Sequence, residues 1–123
     1  MLVVDKMSRV PIYEQIEEGI KREIITGILK ARDQLPSIRE LSVILSTNPN
    51  TVQKAFVELD REGIIVSTPG RGCYVAENAV EKIREGLKNK IEDIKALASE
   101  LASAGIDENL ILDAIKNAYK ANN

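Results

Sequence analysis

The chain has 123 residues, 44% hydrophobic and 29% charged, with a formal net charge of −2. It contains no histidine and a single cysteine, Cys73, so the commonest general base, the thiolate–imidazolium pair, a Cys/His zinc site and an intramolecular disulfide are all out of reach. No catalytic residue, metal site or cofactor is therefore assigned. With no run of 18 apolar residues and no signal-peptide pattern in Met1 to Lys6, a cytoplasmic location and no membrane partner are expected.

Leu2 to Val4 reads as a short strand or an arm. From Pro11, the residues Ile12, Tyr13, Ile16, Ile20, Ile24 and Ile28 recur at spacings of three and four between charged residues. That pattern predicts an amphipathic helix with proline near its first position and Gly27 near its end. Leu29 to Gln34 reads as a polar connector, and Leu35-Pro36 fixes an extended entry to the next helix.

Ser37 and Glu40 form a capping box at the head of a short helix from Ser37 to Leu45, with Ile38, Leu41, Ile44 and Leu45 inward and Arg39 off that face. A polar turn leads to Asn48, an N-cap, with Pro49 at the first helical position. Val52, Ala55, Phe56 and Leu59 make the inner stripe of this second capped helix, and Gly63 closes it. Asn50, Thr51, Gln53 and Lys54 share its exposed first turns. Ile64 to Val66 and Cys73 to Ala76 read as strands flanking the turn Ser67 to Gly72.

After Glu77 there is no proline and no strand signal. Val80, Ile83, Leu87, Ile91, Ile94, Leu97 or Ala98, and Leu101 form a seam of roughly three heptads. Gly105 breaks it, Asp107 caps a second helix, and Leu110, Ile111 and Ile115 give that helix an apolar face. Two such helices cannot enclose a core of their own. Their stripes need either the first helix or another copy of the chain.

A short capped helix, a tight turn, a second capped helix and a glycine-rich hairpin are what a winged helix-turn-helix uses to put a helix into the major groove of DNA. The charge is modest for that role. Residues 1–76 carry ten basic and ten acidic side chains, and residues 77–123 seven and nine, so any phosphate-binding face must be locally basic on a neutral scaffold. Arg39, Lys54 and Arg71 are the candidates. A docking module for other proteins is the competing reading, and a steep salt dependence of DNA binding would separate the two.

The runs Leu35-Pro36-Ser37-Ile38-Arg39-Glu40-Leu41, Asn48-Pro49-Asn50-Thr51-Val52-Gln53-Lys54-Ala55, Leu59-Asp60-Arg61-Glu62-Gly63-Ile64-Ile65 and Gly70-Arg71-Gly72, with the opening Pro11 to Ile16, resemble the DNA-binding domain of GntR-family bacterial transcription regulators. The short C-terminal region resembles their YtrA subfamily. The resemblance implies a mostly α fold with a small β-hairpin wing. In it a winged helix-turn-helix over residues 1–76 precedes a two-helix dimerisation region over residues 77–123.

It further implies a homodimer, usually repressing, on a palindromic site in double-stranded DNA. The recognition helix, about 48–62, would enter the major groove, with the wing, 67–72, at the backbone or minor groove. The expected DNA contacts are Ser37, Arg39, Asn48, Asn50, Thr51, Gln53, Lys54, Gly70 and Arg71. Pro49 and Gln53 stand where relatives often carry arginine, and Gln53 suits adenine rather than guanine. Arg32-Asp33 stands where a glycine is common. The expected pairing residues are Ile83, Leu87, Ile91, Ile94, Leu97, Leu101, Leu110, Ile111 and Ile115. No residue set names a small-molecule effector.

Overall fold

The computed structural model describes residues 2–122. The chain runs α1 (Ile12–Ile25), α2 (Ile38–Ile44), α3 (Pro49–Arg61), β1 (Ile65–Thr68), β2 (Gly72–Val75), α4 (Ala79–Leu87), α5 (Lys90–Ser103) and α6 (Glu108–Ala121). It forms two compact units that meet in the sequence at Gly86 and Leu87. Among the described residues no helix is long and apolar enough to cross a membrane.

The first unit is a winged helix-turn-helix around one core. Helix α1 contributes Ile16, Ile20 and Ile24, α2 and its cap Leu41 and Leu45, and α3 Val52, Ala55, Phe56 and Leu59. The hairpin adds Ile65 and Val75, and α4 adds Ala79 and Ile83. Each large apolar side chain so buried contributes about 1.5–3 kcal/mol relative to exposure, so the stripe of α3, lodged between α1, α2 and β1, anchors the rest.

Three apolar positions depart from the expected stripes. Ile28 is 61% exposed because α1 stops at Ile25, and Ile44 is 60% exposed while Ser42 takes the inward place, its hydroxyl donating to the Arg39 carbonyl. Ile83, expected on the self-association seam, is only 4% exposed and closes the first unit's core from α4. The seam is not one helix either: a turn at Lys88 and Asn89 separates α4 from α5. Spacing identifies an apolar face but not the surface that will cover it.

The segment expected as a polar connector is tied to the hairpin. Strands β1 and β2 pair antiparallel, Ile65 opposite Val75 and Thr68 opposite Gly72. On the other edge of β2, Gln34 bridges Tyr74, the Leu35 N–H donates to the Cys73 carbonyl at 2.9 Å, and the Val75 N–H donates to the Asp33 carbonyl at 2.8 Å. The backbone there must turn at Arg32, whose φ of 72° is left-handed. The family resemblance leads one to expect a glycine at the pair Arg32-Asp33, and the left-handed φ of Arg32 supplies a reason for one there.

The second unit is the helical hairpin of α5 and α6. Its turn is locally specified: the Ile106 N–H donates back to the Leu101 carbonyl around Gly105, and the Asp107 carboxylate accepts from the Asn109 N–H. No residue of either helix is buried. Ile91, Ile94, Leu97, Leu101, Leu110 and Ile115 are all exposed, and Ile111 is half-buried.

Candidate nucleic-acid interface

Helix α2 starts where the sequence places it. The Ser37 hydroxyl accepts from the Glu40 N–H at 3.0 Å, and the Glu40 carboxylate accepts from the Ser37 N–H at 3.2 Å. The reciprocal cap fixes the first turn of α2 and leaves Arg39 exposed beside it. The turn to α3 passes through Ser46 at φ 50°, whose neighbour Thr47 donates its N–H to the Ser42 carbonyl. Asn48 then caps α3, its side-chain oxygen accepting from the Asn50 N–H at 2.8 Å.

The wing tip is a type II-like turn. Pro69 and Gly70 occupy its central positions, Gly70 has φ 77°, and the Arg71 N–H donates to the Thr68 carbonyl at 2.9 Å. Two side chains clamp the tip: the Gln34 amide donates to the Arg71 carbonyl at 3.0 Å and the Tyr74 hydroxyl at 3.2 Å. A Cβ on Gly72 would come within 3.0 Å of the Gln34 amide nitrogen, so the glycine lets this clamp close. Neither Gln34 nor Tyr74 is among the sequence-predicted site residues. A glutamine before Leu35-Pro36 carries no signal until the fold brings it against the wing.

Between the start of α2 and the wing runs a groove lined by Gln34, Ser37, Arg39, Phe56, Arg71 and Cys73, among others. A second depression, bounded by Gln53, Val57, Asp60 and Ser67, adjoins it and shares Ile38, Phe56 and Cys73. Ser37, Arg39, Gln53 and Arg71 are thus brought onto one continuous face. Asn50 is exposed on the first turn of α3, Thr51 is half-buried, and Asn48 spends its side-chain oxygen on the cap. Gly70 is exposed at the tip.

Lys54 is placed elsewhere. Its ammonium sits 3.9 Å from the centroid of the Tyr13 ring on α1, a cation–π contact. Glu14, Glu17, Glu18, Lys21 and Glu58 surround that pair. Burial, then the neighbouring Glu62, pushes the Glu17 carboxyl above the ordinary carboxylate range, while the hydrogen bond from Arg61 holds Glu58 below it. One flank of α3 therefore faces an acidic α1, and the opposite flank faces the groove with the two arginines. Among the described residues no cluster could hold a metal ion.

Residues 12–75 match the model of the bacterial regulatory proteins of the gntR family. The chain is 44% identical over 117 residues, 94% of its length and 90% of the other's, to the HTH-type transcriptional repressor YtrA of Bacillus subtilis. A GntR family transcriptional regulator from Listeria monocytogenes superposes with a TM-score of 0.74 at 34% identity, covering 93% of this chain and 98% of that one. The AraR DNA-binding domain in complex with operator ORX1 superposes over 60% of this chain and 94% of its own, with a TM-score of 0.56 at 28% identity.

Proposed function

Because the chain belongs to the gntR family of bacterial regulatory proteins, we propose that it is a sequence-specific transcription repressor acting in the cytoplasm as a homodimer on a palindromic operator. One observation carries the reading: the start of α2, the exposed flank of α3 and the clamped wing tip converge, so that Ser37, Arg39 and Arg71 line a single groove with Gln53 beside it. A similar fold, the AraR DNA-binding domain, is known bound to its operator.

In this assignment the first turns of α3 enter the major groove. Asn50, Thr51 and Gln53 meet base edges, with Gln53 bidentate to adenine. Arg39 and Arg71 contact the backbone or groove edges on either side, with Ser37, Asn48 and Gly70 supporting close approach. Lys54 reaches a phosphate only by leaving the Tyr13 ring.

The second unit supplies the pairing surface. Among the described residues Leu87, Ile91, Ile94, Leu97, Leu101, Leu110 and Ile115 are exposed, and Ile111 is half-buried. A second copy offers the same face, and closed two-fold pairing buries both at once. The division of labour then falls at Gly86, with the first unit reading DNA and the second holding two readers together.

The test is selection of bound duplexes from random DNA with the purified protein. Enrichment of an inverted repeat whose half-sites lie about 10–10.5 base pairs apart, or a multiple of that, is expected. Failure to enrich any sequence overturns the assignment.

A further inference from the structure

Residues 2–11 form neither helix nor strand, yet a short network of hydrogen bonds holds the loop from Asp5 to Val10. Leu2 and Val4 pack against the core, and Gly19 leaves room for Leu2: a Cβ there would lie 1.9 Å from the Leu2 Cδ1. Beyond them the Asp5 carboxylate accepts from the Met7 N–H, the Asp5 carbonyl from the Ser8 N–H, and the Ser8 hydroxyl from the Val10 N–H. Gln15 of α1 brackets the loop. Its Oε1 accepts from the Asp5 N–H at 2.7 Å, and its Nε2 donates to the carbonyls of Asp5 and Val10 at 2.9 and 2.8 Å.

Ordering backbone costs entropy that burial normally offsets. Here it does not, since residues 5–10 are all exposed and Met7 is 92% exposed. The bracket instead fixes where two cations stand. The Lys6 ammonium donates to the Ser46 carbonyl at 2.6 Å, across 40 positions of sequence. Ser46 is the left-handed residue of the helix-turn-helix turn, two places before the Asn48 cap of α3. An ammonium has three donors, so two remain at the turn that leads into α3. Arg9, in the same bracketed loop, is exposed with no hydrogen bond or ion pair among the described residues. The loop's one carboxylate, Asp5, accepts from the Met7 N–H through Oδ1 and pairs with neither cation among the described residues.

A helix that enters the major groove by its first turns has the sugar–phosphate backbone passing its flank, where backbone donors and cations position the protein. Resting on the reading of α3 as the recognition helix, we propose that residues 5–9 are a fourth DNA-contacting element, which lays Lys6 and Arg9 on phosphates beside the start of α3. They add affinity and register but no base preference.

The experiment uses the full chain and the duplex that the wild-type protein selects from random DNA. Affinity is titrated between about 50 and 200 mM salt for wild type, Lys6→Gln, Arg9→Gln and Lys6→Arg. Each glutamine variant is expected to flatten the slope of log K against log salt by about 0.9, with the loss uniform across base-substituted duplexes. Lys6→Arg should keep the slope. A Lys6 that only holds the turn would lose affinity at unchanged slope, which overturns its assignment, and an unchanged slope for Arg9→Gln overturns the other. If the wild-type protein binds its selected duplex and no variant moves the slope, the arm proposal alone falls. If the wild-type protein selects nothing, the DNA reading falls with it.

Discussion

The first unit sequesters sixteen apolar side chains in one core, whereas α5 and α6 of the second, 14 residues each, bury none. Both are built from helices with apolar residues three and four apart. What differs is what returns to cover them. In the first unit the chain doubles back through α2, α3 and the hairpin, so each stripe meets another within the same unit. The hairpin of α5 and α6 has a well-specified turn, and neither helix buries a residue. Identical spacing thus makes an interior in one place and an uncovered surface in the other, and the proposed pairing rests on the second kind.

The contrast breaks most visibly by truncating one residue of each kind. Leu59 is fully buried, and Leu59→Ala should lower the unfolding free energy by about 2–5 kcal/mol in denaturant titrations, at any protein concentration. Leu110, 63% exposed within its chain, should respond differently: the cost of Leu110→Ala should rise and fall with protein concentration, as association does. A concentration-independent cost for Leu110→Ala would place that residue in a monomeric core.

A charge on the seam sharpens the same point. Leu97 is 59% exposed, so Leu97→Glu should leave a folded chain while weakening self-association by on the order of 1–3 kcal/mol, because the carboxylate loses water on pairing. Sedimentation velocity should show the shift toward a single chain. Operator affinity should fall by more than tenfold, since one half-site no longer brings the other. A variant that stays paired would exclude this face of α5 from the interface.

How much was legible depends on the range of each signal. The capping box of Ser37 and Glu40 and the Asn48-Pro49 start of α3 act within four residues and stand where the sequence places them, while the turn expected over Ser67 to Gly72 narrows to the residues between Thr68 and Gly72. Ile83 lies in the first unit's core rather than on the seam, and a heptad count sees the same residue whether its cover is that core or another copy. Lys54 shares the exposed turns of α3 with Asn50, but its long side chain takes the Tyr13 ring instead. Gln34 and Tyr74 were invisible because what they hold, the Arg71 carbonyl, lies on a different element.

That last contact gives a smaller prediction within the first unit. The Gln34 and Tyr74 bonds to Arg71 lie on the surface, so Gln34→Ala with Tyr74→Phe should leave the thermal midpoint nearly unchanged. It should reduce operator affinity by about 1 kcal/mol, roughly fivefold, as the wing tip loses its orientation. Gel shift and melting curves on the same samples separate the two effects. A loss confined to the melting temperature would make the clamp a support for the fold rather than for the wing.

The smallest effect tests whether the first unit's stability resides in its core or in its surface pairs. Arg32 holds a left-handed φ of 72° and pairs with Glu77, with side-chain exposures of 82% and 68%. A non-glycine residue in that region costs about 1–2 kcal/mol; so exposed an ion pair returns about 0–1 kcal/mol. Glycine gives back part of the gain through the entropy of the unfolded chain, about 0.4–1 kcal/mol. The Arg32 N–H bond to the Val75 carbonyl survives the change. Arg32→Gly should therefore stabilise the protein slightly, by less than about 1 kcal/mol, while Glu77→Gln, which removes only the pair, should be near neutral. If Arg32→Gly instead destabilises and Glu77→Gln does so equally, the surface pair outweighs the backbone strain, and the core no longer accounts alone for the difference between the two units.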